Sequence, residues 1–69
     1  MNRLMSDSEK AKVQISNMIK KARQTKIHCD EQYYHYIKSK VLGTIDFCRE
    51  IGLITGSEAI NYQNEIHSI

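Results

Sequence analysis

The sequence predicts an all-α fold, a small three-helix bundle in which two longer antiparallel helices are closed by a short C-terminal helix. Three observations predict it. The 69 residues include three glycines and no proline, so few residues interrupt a helix. Apolar residues recur at helical spacings of three and four. Capping-box and glycine-stop patterns mark the helix ends. A chain of this length forms one domain, residues 1–69, with a marginal core that a second copy would extend, so we expect a dimer.

The first helix is predicted over residues 7–25. Ser6 and Glu9 have the spacing of a capping box at its start. Its apolar stripe follows spacings of three, four and seven and consists of Leu4, Ala11, Ile15, Met18, Ile19 and Ala22. Residues 25–29 contain β-branched side chains and no stripe, which predicts a connection, and Asp30 then serves as the next N-cap.

The second helix is predicted over residues 31–51 and carries apolar side chains on more than one face. One stripe consists of Tyr34, Ile37, Val41, Ile45 and Cys48, while Tyr33, Tyr36, Leu42 and Phe47 fall outside it. Such a helix is either sandwiched between its neighbours or buried against a second copy of the chain. Gly43 in its middle either lets another helix approach closely or is a tolerated defect.

The third helix is predicted over residues 56–67, after a tight turn. Gly52 and Leu53 suit the last two positions of a Schellman motif, so the second helix should end at Ile51. Thr55 and Glu58 form a second capping box, with Ile54 packing back onto Ala59. The third helix then folds back against the end of the second.

The turn Gly52-Leu53-Ile54-Thr55, with Glu58, resembles the helix–turn–helix unit of the SHOCT family of small C-terminal oligomerisation segments. The resemblance covers about a third of the chain. It implies an αα-hairpin at this end and a role in self-association. The basic and aromatic residues that follow the glutamate in that family are replaced here by Ile60-Asn61-Tyr62-Gln63.

Charge is divided unevenly between the two halves of the sequence. Residues 1–28 carry a net charge of +5 and residues 29–69 a net charge of −3, which together give +2. The polar half of the first helix has no acid after Glu9. Its bases include the four that we consider for phosphate contacts, namely Lys12, Lys20, Lys21 and Arg23. This basic surface either binds nucleic acid, meets an acidic protein partner or remains solvated.

Several function classes lack a sequence signal. No His or Cys pair has zinc-ligand spacing, and no glycine-rich phosphate loop is present, so we expect no metal, cofactor or small-molecule substrate. No apolar run resembles a signal peptide or a membrane span, so we expect a cytoplasmic protein. Cys29 and Cys48 lie roughly 28 Å apart near the two ends of the second helix, which predicts free thiols and no disulfide between them.

These observations predict an interaction protein and not an enzyme. We expect a small adaptor, inhibitor or chaperone-like regulator that self-associates, of the kind often encoded by bacteria and phages. The expected partner or dimer contacts are Tyr33, Tyr36, Phe47 and Gly43, because tyrosines at consecutive positions of one helix cannot all face one core. The alternative is a sequence-tolerant nucleic-acid-binding regulator that uses the basic face of the first helix.

Overall fold

The computed structural model describes residues 4–69 and contains three helices, α1 (Asp7–His28), α2 (Glu31–Glu50) and α3 (Gly56–His67). The described residues contain no strand, so the predicted all-α, three-helix fold is confirmed. Residues 1–3, with Arg3 of the basic half, lie outside the described part of the chain.

The three helices form a flattened bundle of 41 × 29 × 16 Å. The two-residue connection after α1 reverses the chain, so α2 runs antiparallel to α1. Side-chain contacts then align α3 with α1, because Lys12 near the start of α1 pairs with Glu58 and Lys26 near its end donates to the Ile69 carbonyl. Both α1 and α3 pack on the core side of α2, so the opposite side of α2 has no helix of the described chain packed on it.

The end of α1 lies three residues beyond the predicted end. The predicted connection at residues 25–29 was wrong, because the helix continues to His28. Thr25 is buried on the core side, and its Oγ1 donates to the Lys21 carbonyl 2.8 Å away, so the hydroxyl is satisfied within the helix. Leu4, assigned to the apolar stripe, is 92% exposed because it precedes the N-cap Ser6 and lies outside the helix.

The core lies between the predicted stripes of the three helices. Its buried apolar side chains come from every helix and from the turn before α3: Ala11, Ile15, Ile19, Ala22, Tyr34, Val41, Ile45, Cys48, Ile54, Ala59 and Ile66. Six of them are 0% exposed, and four of these six are isoleucines. Small alanines on α1 and α3 allow the helices to approach one another closely, which is how so short a chain closes a core.

The predicted N-caps Ser6, Asp30 and Thr55 each accept from the backbone at the start of a helix, but at α1 the Glu9 carboxylate accepts from the Ser6 hydroxyl at 3.4 Å and the reciprocal backbone bond of the predicted capping box is not formed between these two described residues. The Glu9 backbone N–H donates to Ser6 Oγ at 3.1 Å, and the Tyr33 N–H donates to the Asp30 carboxylate at 2.8 Å. At α3 the capping box is complete, because the Glu58 N–H donates to Thr55 Oγ1 and the Thr55 N–H donates to the Glu58 carboxylate. These bonds satisfy donors that a helix leaves unpaired.

The turn between α2 and α3 is the predicted Schellman motif. Gly52 has φ +80°, the Leu53 N–H donates to the Cys48 carbonyl at 2.8 Å, and the Gly52 N–H donates to the Arg49 carbonyl at 3.1 Å. Ser8 of α1 donates its hydroxyl to the Leu53 carbonyl, so the turn is also tied to the start of α1.

Both cysteines are free thiols, Cys29 exposed and Cys48 buried. Among residues 4–69, no helix has the length and apolar character needed to cross a membrane.

Candidate protein-interaction surface

One face of α2 carries large aromatic side chains that the core does not use. Tyr33, Tyr36 and Phe47 are 47%, 54% and 59% exposed, and together with Lys40 and Gly43 they form one strip along the helix. We call these five residues the aromatic stripe. At about 100° per residue, the centre of the stripe is rotated by about 120° from the residues of α2 that face the core. The helix therefore has two apolar faces, of which the bundle covers one.

The N-terminal half of the aromatic stripe is ordered by contacts among its own side chains. The Tyr33 and Tyr36 rings lie 6.2 Å apart between centroids, tilted by 34°. The Lys40 ammonium lies 5.1 Å from the centroid of the Tyr36 ring, which is a cation–π distance. These contacts restrict the rotamers of three long side chains, so a partner would lose less side-chain entropy on binding them.

The structure places Leu42 against the core and Gly43 on the exposed face of α2. Leu42 is half-buried and packs against the core, so it does not belong to the second apolar face. Gly43 is exposed, and a Cβ atom added there would meet nothing within 4 Å. No helix of the described chain therefore approaches Gly43 closely, and the space beside it is open to another molecule.

A shallow groove of about 190 Å³ lies between α1 and α2 and shares Lys40 with the aromatic stripe. Its apolar floor comes from Met18, Ile37 and Val41, and its edges are Lys21 on α1 and Lys40 on α2. Lys40 thus belongs to the aromatic stripe and also lines the groove. The groove is therefore apolar on its floor and carries a positive charge on each edge.

The four bases considered for nucleic-acid contacts are not gathered into one patch. Lys12 forms an ion pair with Glu58 of α3, with its Nζ 2.6 Å from a carboxylate oxygen. Lys21 borders the groove with α2, and its position on α1 is about 180° around the helix from Lys12. Lys20 and Arg23 are exposed. The structure thus places Lys12 and Lys21 on opposite edges of α1 and commits Lys12 to an internal partner.

The ion pair shifts the pKa of both partners. The hydrogen bond from Lys12 is the main cause that lowers the pKa of Glu58, followed by the backbone N–H of Thr55. The hydrogen bond to Glu58 is the main cause that raises the pKa of Lys12. Folding therefore favours the ionised form of each group, and the pair links α1 to α3 while both are charged.

This pair should make stability depend on pH at both extremes. The contribution of the Glu58 carboxylate to stability is complete above the ordinary glutamate pKa of 4.5, and it is lost as the pH falls through the lowered folded pKa of Glu58. The contribution of Lys12 is complete below 10.5 and is lost as the pH rises through its raised folded pKa. We expect Glu58→Gln, which keeps an oxygen for the Thr55 N–H, to melt below the wild type at pH 7.

Thermal melts at pH 7 and at a pH below the folded pKa of Glu58 test this. The difference in melting temperature between the wild type and Glu58→Gln should shrink at the lower pH, because the protonated Glu58 side chain and the Gln side chain that replaces it are both neutral there. Glu65→Gln, at an exposed position of the same helix, is the matched control. A difference of unchanged size at both pH values would contradict the assignment of the effect to the charge.

The sequence did not reveal a second concave region, at the end of the bundle where α1 stops and α2 begins. This cleft, of about 380 Å³, is lined by Lys26, Cys29, Glu31, Tyr34, His35, Lys38 and Ile69. The Lys26 ammonium crosses it, donating to the Ile69 carbonyl at 2.7 Å and lying 5.3 Å from the Tyr34 ring centroid. Its walls come from parts of the chain about 40 residues apart, and no local pattern brings them together.

No group of three or more His, Cys, Asp or Glu side chains with a metal-site arrangement occurs within residues 4–69. No family model, curated protein or solved structure matches the chain. The resemblance to SHOCT segments therefore rests on the turn residues Gly52-Leu53-Ile54-Thr55 and Glu58 alone.

Proposed function

We propose that the protein is a small interaction module, an adaptor, inhibitor or chaperone-like regulator, that binds protein through the aromatic stripe of α2. The observation that carries the proposal is the exposure of Tyr33, Tyr36 and Phe47 on one face of a helix whose other face already fills the core. Tyrosine and phenylalanine are enriched in protein interfaces, where they supply large contact areas at small entropic cost. Apolar side chains aligned on one face mark a contact surface more strongly than scattered ones do.

Replacing the three aromatic residues together tests this proposal. We expect Tyr33→Ser/Tyr36→Ser/Phe47→Ser to lose at least about tenfold in affinity for its partner or for itself, since truncated aromatic anchors commonly cost more than 1.4 kcal/mol. The helices should remain, because these side chains are outside the core. Sedimentation, partner capture on the immobilised protein and far-UV circular dichroism measure these three properties.

The chain offers a matched control for the loss of exposed apolar surface. Val13, Ile27 and Ile60 are also exposed but lie on other faces of the bundle. The triple variant Val13→Ser/Ile27→Ser/Ile60→Ser should associate like the wild type. Unchanged association of the aromatic variant, with wild-type helical content, would eliminate the aromatic stripe as the contact surface.

The competing function is a sequence-tolerant nucleic-acid-binding regulator. The observation in its favour is the groove with Lys21 and Lys40 on its edges, with the Tyr36 ring beside Lys40. Against it, Lys12 is paired with Glu58, and Lys21 lies about 180° around α1 from Lys12. We expect affinity for duplex DNA, single-stranded DNA and RNA no tighter than about 10⁻⁵ M at physiological salt, the range of non-specific binding.

Titrations at physiological salt and at two further salt concentrations test this expectation. Binding at micromolar or lower concentration, with a steep loss of affinity as salt rises, would contradict this expectation. It would identify the basic face of α1 as the functional surface. Charge reversal of Lys20, Lys21 and Arg23 would then be expected to abolish that binding, whereas the Ser variant of the aromatic stripe tests only stacking on the rings.

A further inference from the structure

We infer that the aromatic stripe binds the same stripe of a second copy, with the two α2 helices antiparallel. This inference rests on the proposed function, because it names the partner of that surface. The face continues by one turn to Glu50, and its positions 33, 36, 40, 43, 47 and 50 alternate in steps of three and four residues. This is the spacing of a coiled-coil seam. None of these six residues belongs to the core cluster of the described residues, so the whole seam is available.

An antiparallel register exists in which the one small residue of the seam, Gly43, faces the long side chain of Lys40. When positions whose numbers add to 83 face each other, Tyr36 lies opposite Phe47 of the second copy. In the next layer Lys40 lies opposite Gly43 of the second copy. The long lysine stem then crosses a residue with no side chain, into the space that is open beside Gly43. Each aromatic contact and each Lys–Gly contact occurs twice, by the two-fold symmetry of the pair.

A parallel pair through the same face is less favourable. It would place Lys40 against Lys40 and Glu50 against Glu50, so that like charges face each other at two layers of the seam. Like-charge contacts at an interface cost free energy and select against that arrangement. The antiparallel register instead places Glu50 opposite Tyr33 of the second copy, whose hydroxyl can donate to a carboxylate.

The observed direction of Lys40 fits the antiparallel register. Its ammonium leans toward the N-terminus of α2 and lies over the Tyr36 ring. At that height the second copy presents Phe47 and, next to it, Asp46, whose exposed carboxylate accepts a long hydrogen bond of 3.4 Å from Gln63 Nε2 in the single chain and has its second oxygen left for an ammonium. Pairing therefore brings the Lys40 ammonium of each copy near the Asp46 carboxylate of the other, at two places related by the two-fold axis. This charge complementarity favours a second copy over a partner of unrelated surface.

The seam comprises one helix of each copy and is short compared with standard interfaces. We therefore expect a dimer that dissociates at micromolar concentrations and is fully formed only at higher ones. Experiments should be done at protein concentrations of about 100 μM, where such a dimer is populated.

Cysteine cross-linking distinguishes the two directions. In a Cys29→Ser background, which removes the exposed native thiol, one preparation carries Tyr33→Cys and another carries Glu50→Cys. These positions are 17 residues apart, about 25 Å along the helix, so a disulfide between them requires an antiparallel partner. Under mild oxidation we expect a covalent dimer from the mixture and none above background from either preparation alone. Cys29→Ser alone measures the background from Cys48.

Each other outcome overturns the inference. Cross-linking of each preparation with itself, with no additional covalent dimer in the mixture, would indicate a parallel pair. No cross-link from any combination, with a single monomeric species in sedimentation, would exclude self-pairing. Loss of partner capture in the triple Ser variant would still support the proposed function, so the two failures are distinguishable. The pair Tyr36→Cys and Phe47→Cys repeats the test if a preparation of the first pair does not fold.

Discussion

Ile45→Ala should leave the protein largely unfolded at 37 °C. Ile45 is fully buried in the core cluster, and replacing a buried isoleucine with alanine commonly costs about 2–5 kcal/mol through lost burial and the cavity left behind. A single core in a chain of this size rarely supplies more than about 3–5 kcal/mol in total. One substitution thus removes most of the net stability. The melting temperature should fall by at least about 10 °C.

Ile27→Ala is the matched control for this substitution. It makes the same chemical change in a helix, but Ile27 is 72% exposed. Its free energy of unfolding should stay within about 0.5 kcal/mol of the wild type. Urea titrations followed by far-UV circular dichroism measure both variants. Equal losses for Ile27→Ala and Ile45→Ala would mean that the core is not where the structure places it.

The core was predictable because helical periodicity alone specifies which side chains share a face. Val41 and Ile45 recur at four-residue spacing on α2, and Ala59 and Ile66 on α3 are seven residues apart, so each face is visible in the sequence. Helix starts were predictable for a similar reason. Capping bonds join residues three positions apart, such as Thr55 and Glu58, and therefore leave a local pattern.

The features that sequence reasoning missed depend on residues far apart in the chain. The pair between Lys12 and Glu58 joins positions 46 residues apart, and nothing local separates Lys12 from the other bases of α1. The end of α1 was misplaced because Thr25 was judged by its β-branched side chain. Its burial against the rest of the bundle and its hydrogen bond to the Lys21 carbonyl hold it in the helix. Tertiary packing outweighed the local preference there.

The aromatic stripe could be predicted only in part from the sequence. Periodicity shows that Tyr33, Tyr36 and Phe47 leave the core stripe, but it does not show which neighbour covers them. Leu42 also leaves that stripe, and in the structure it packs against the core. The placement of α1 and α3 around α2 decides which apolar residues of α2 are covered within the chain and which stay exposed. Periodicity within α2 does not show that placement. The exposure of Tyr33, Tyr36 and Phe47 shows that neither α1 nor α3 covers this face of α2.

Tyr34→Phe should stabilise the protein. Tyr34 is 4% exposed, and its hydroxyl is buried without a hydrogen-bond partner among the described residues. A buried polar group with no partner costs about 1–3 kcal/mol, because it gives up its bonds to water and gains none in return. Phenylalanine keeps the ring, its packing in the core and the contact with the Lys26 ammonium 5.3 Å from the centroid. The free energy of unfolding should therefore rise by about 1–3 kcal/mol.

Tyr33→Phe provides the comparison, because it removes the same hydroxyl from an exposed ring of the same helix. Its effect on the unfolding of the monomer should be within about 0.5 kcal/mol of zero. Urea titrations at low micromolar concentration, where the proposed dimer is dissociated, measure both. A loss of stability in Tyr34→Phe would show that the hydroxyl makes a favourable bond in solution. That result would give the cleft between the ends of α1 and α2 a polar group with a bonding role, and it would make a buried water the first partner to search for.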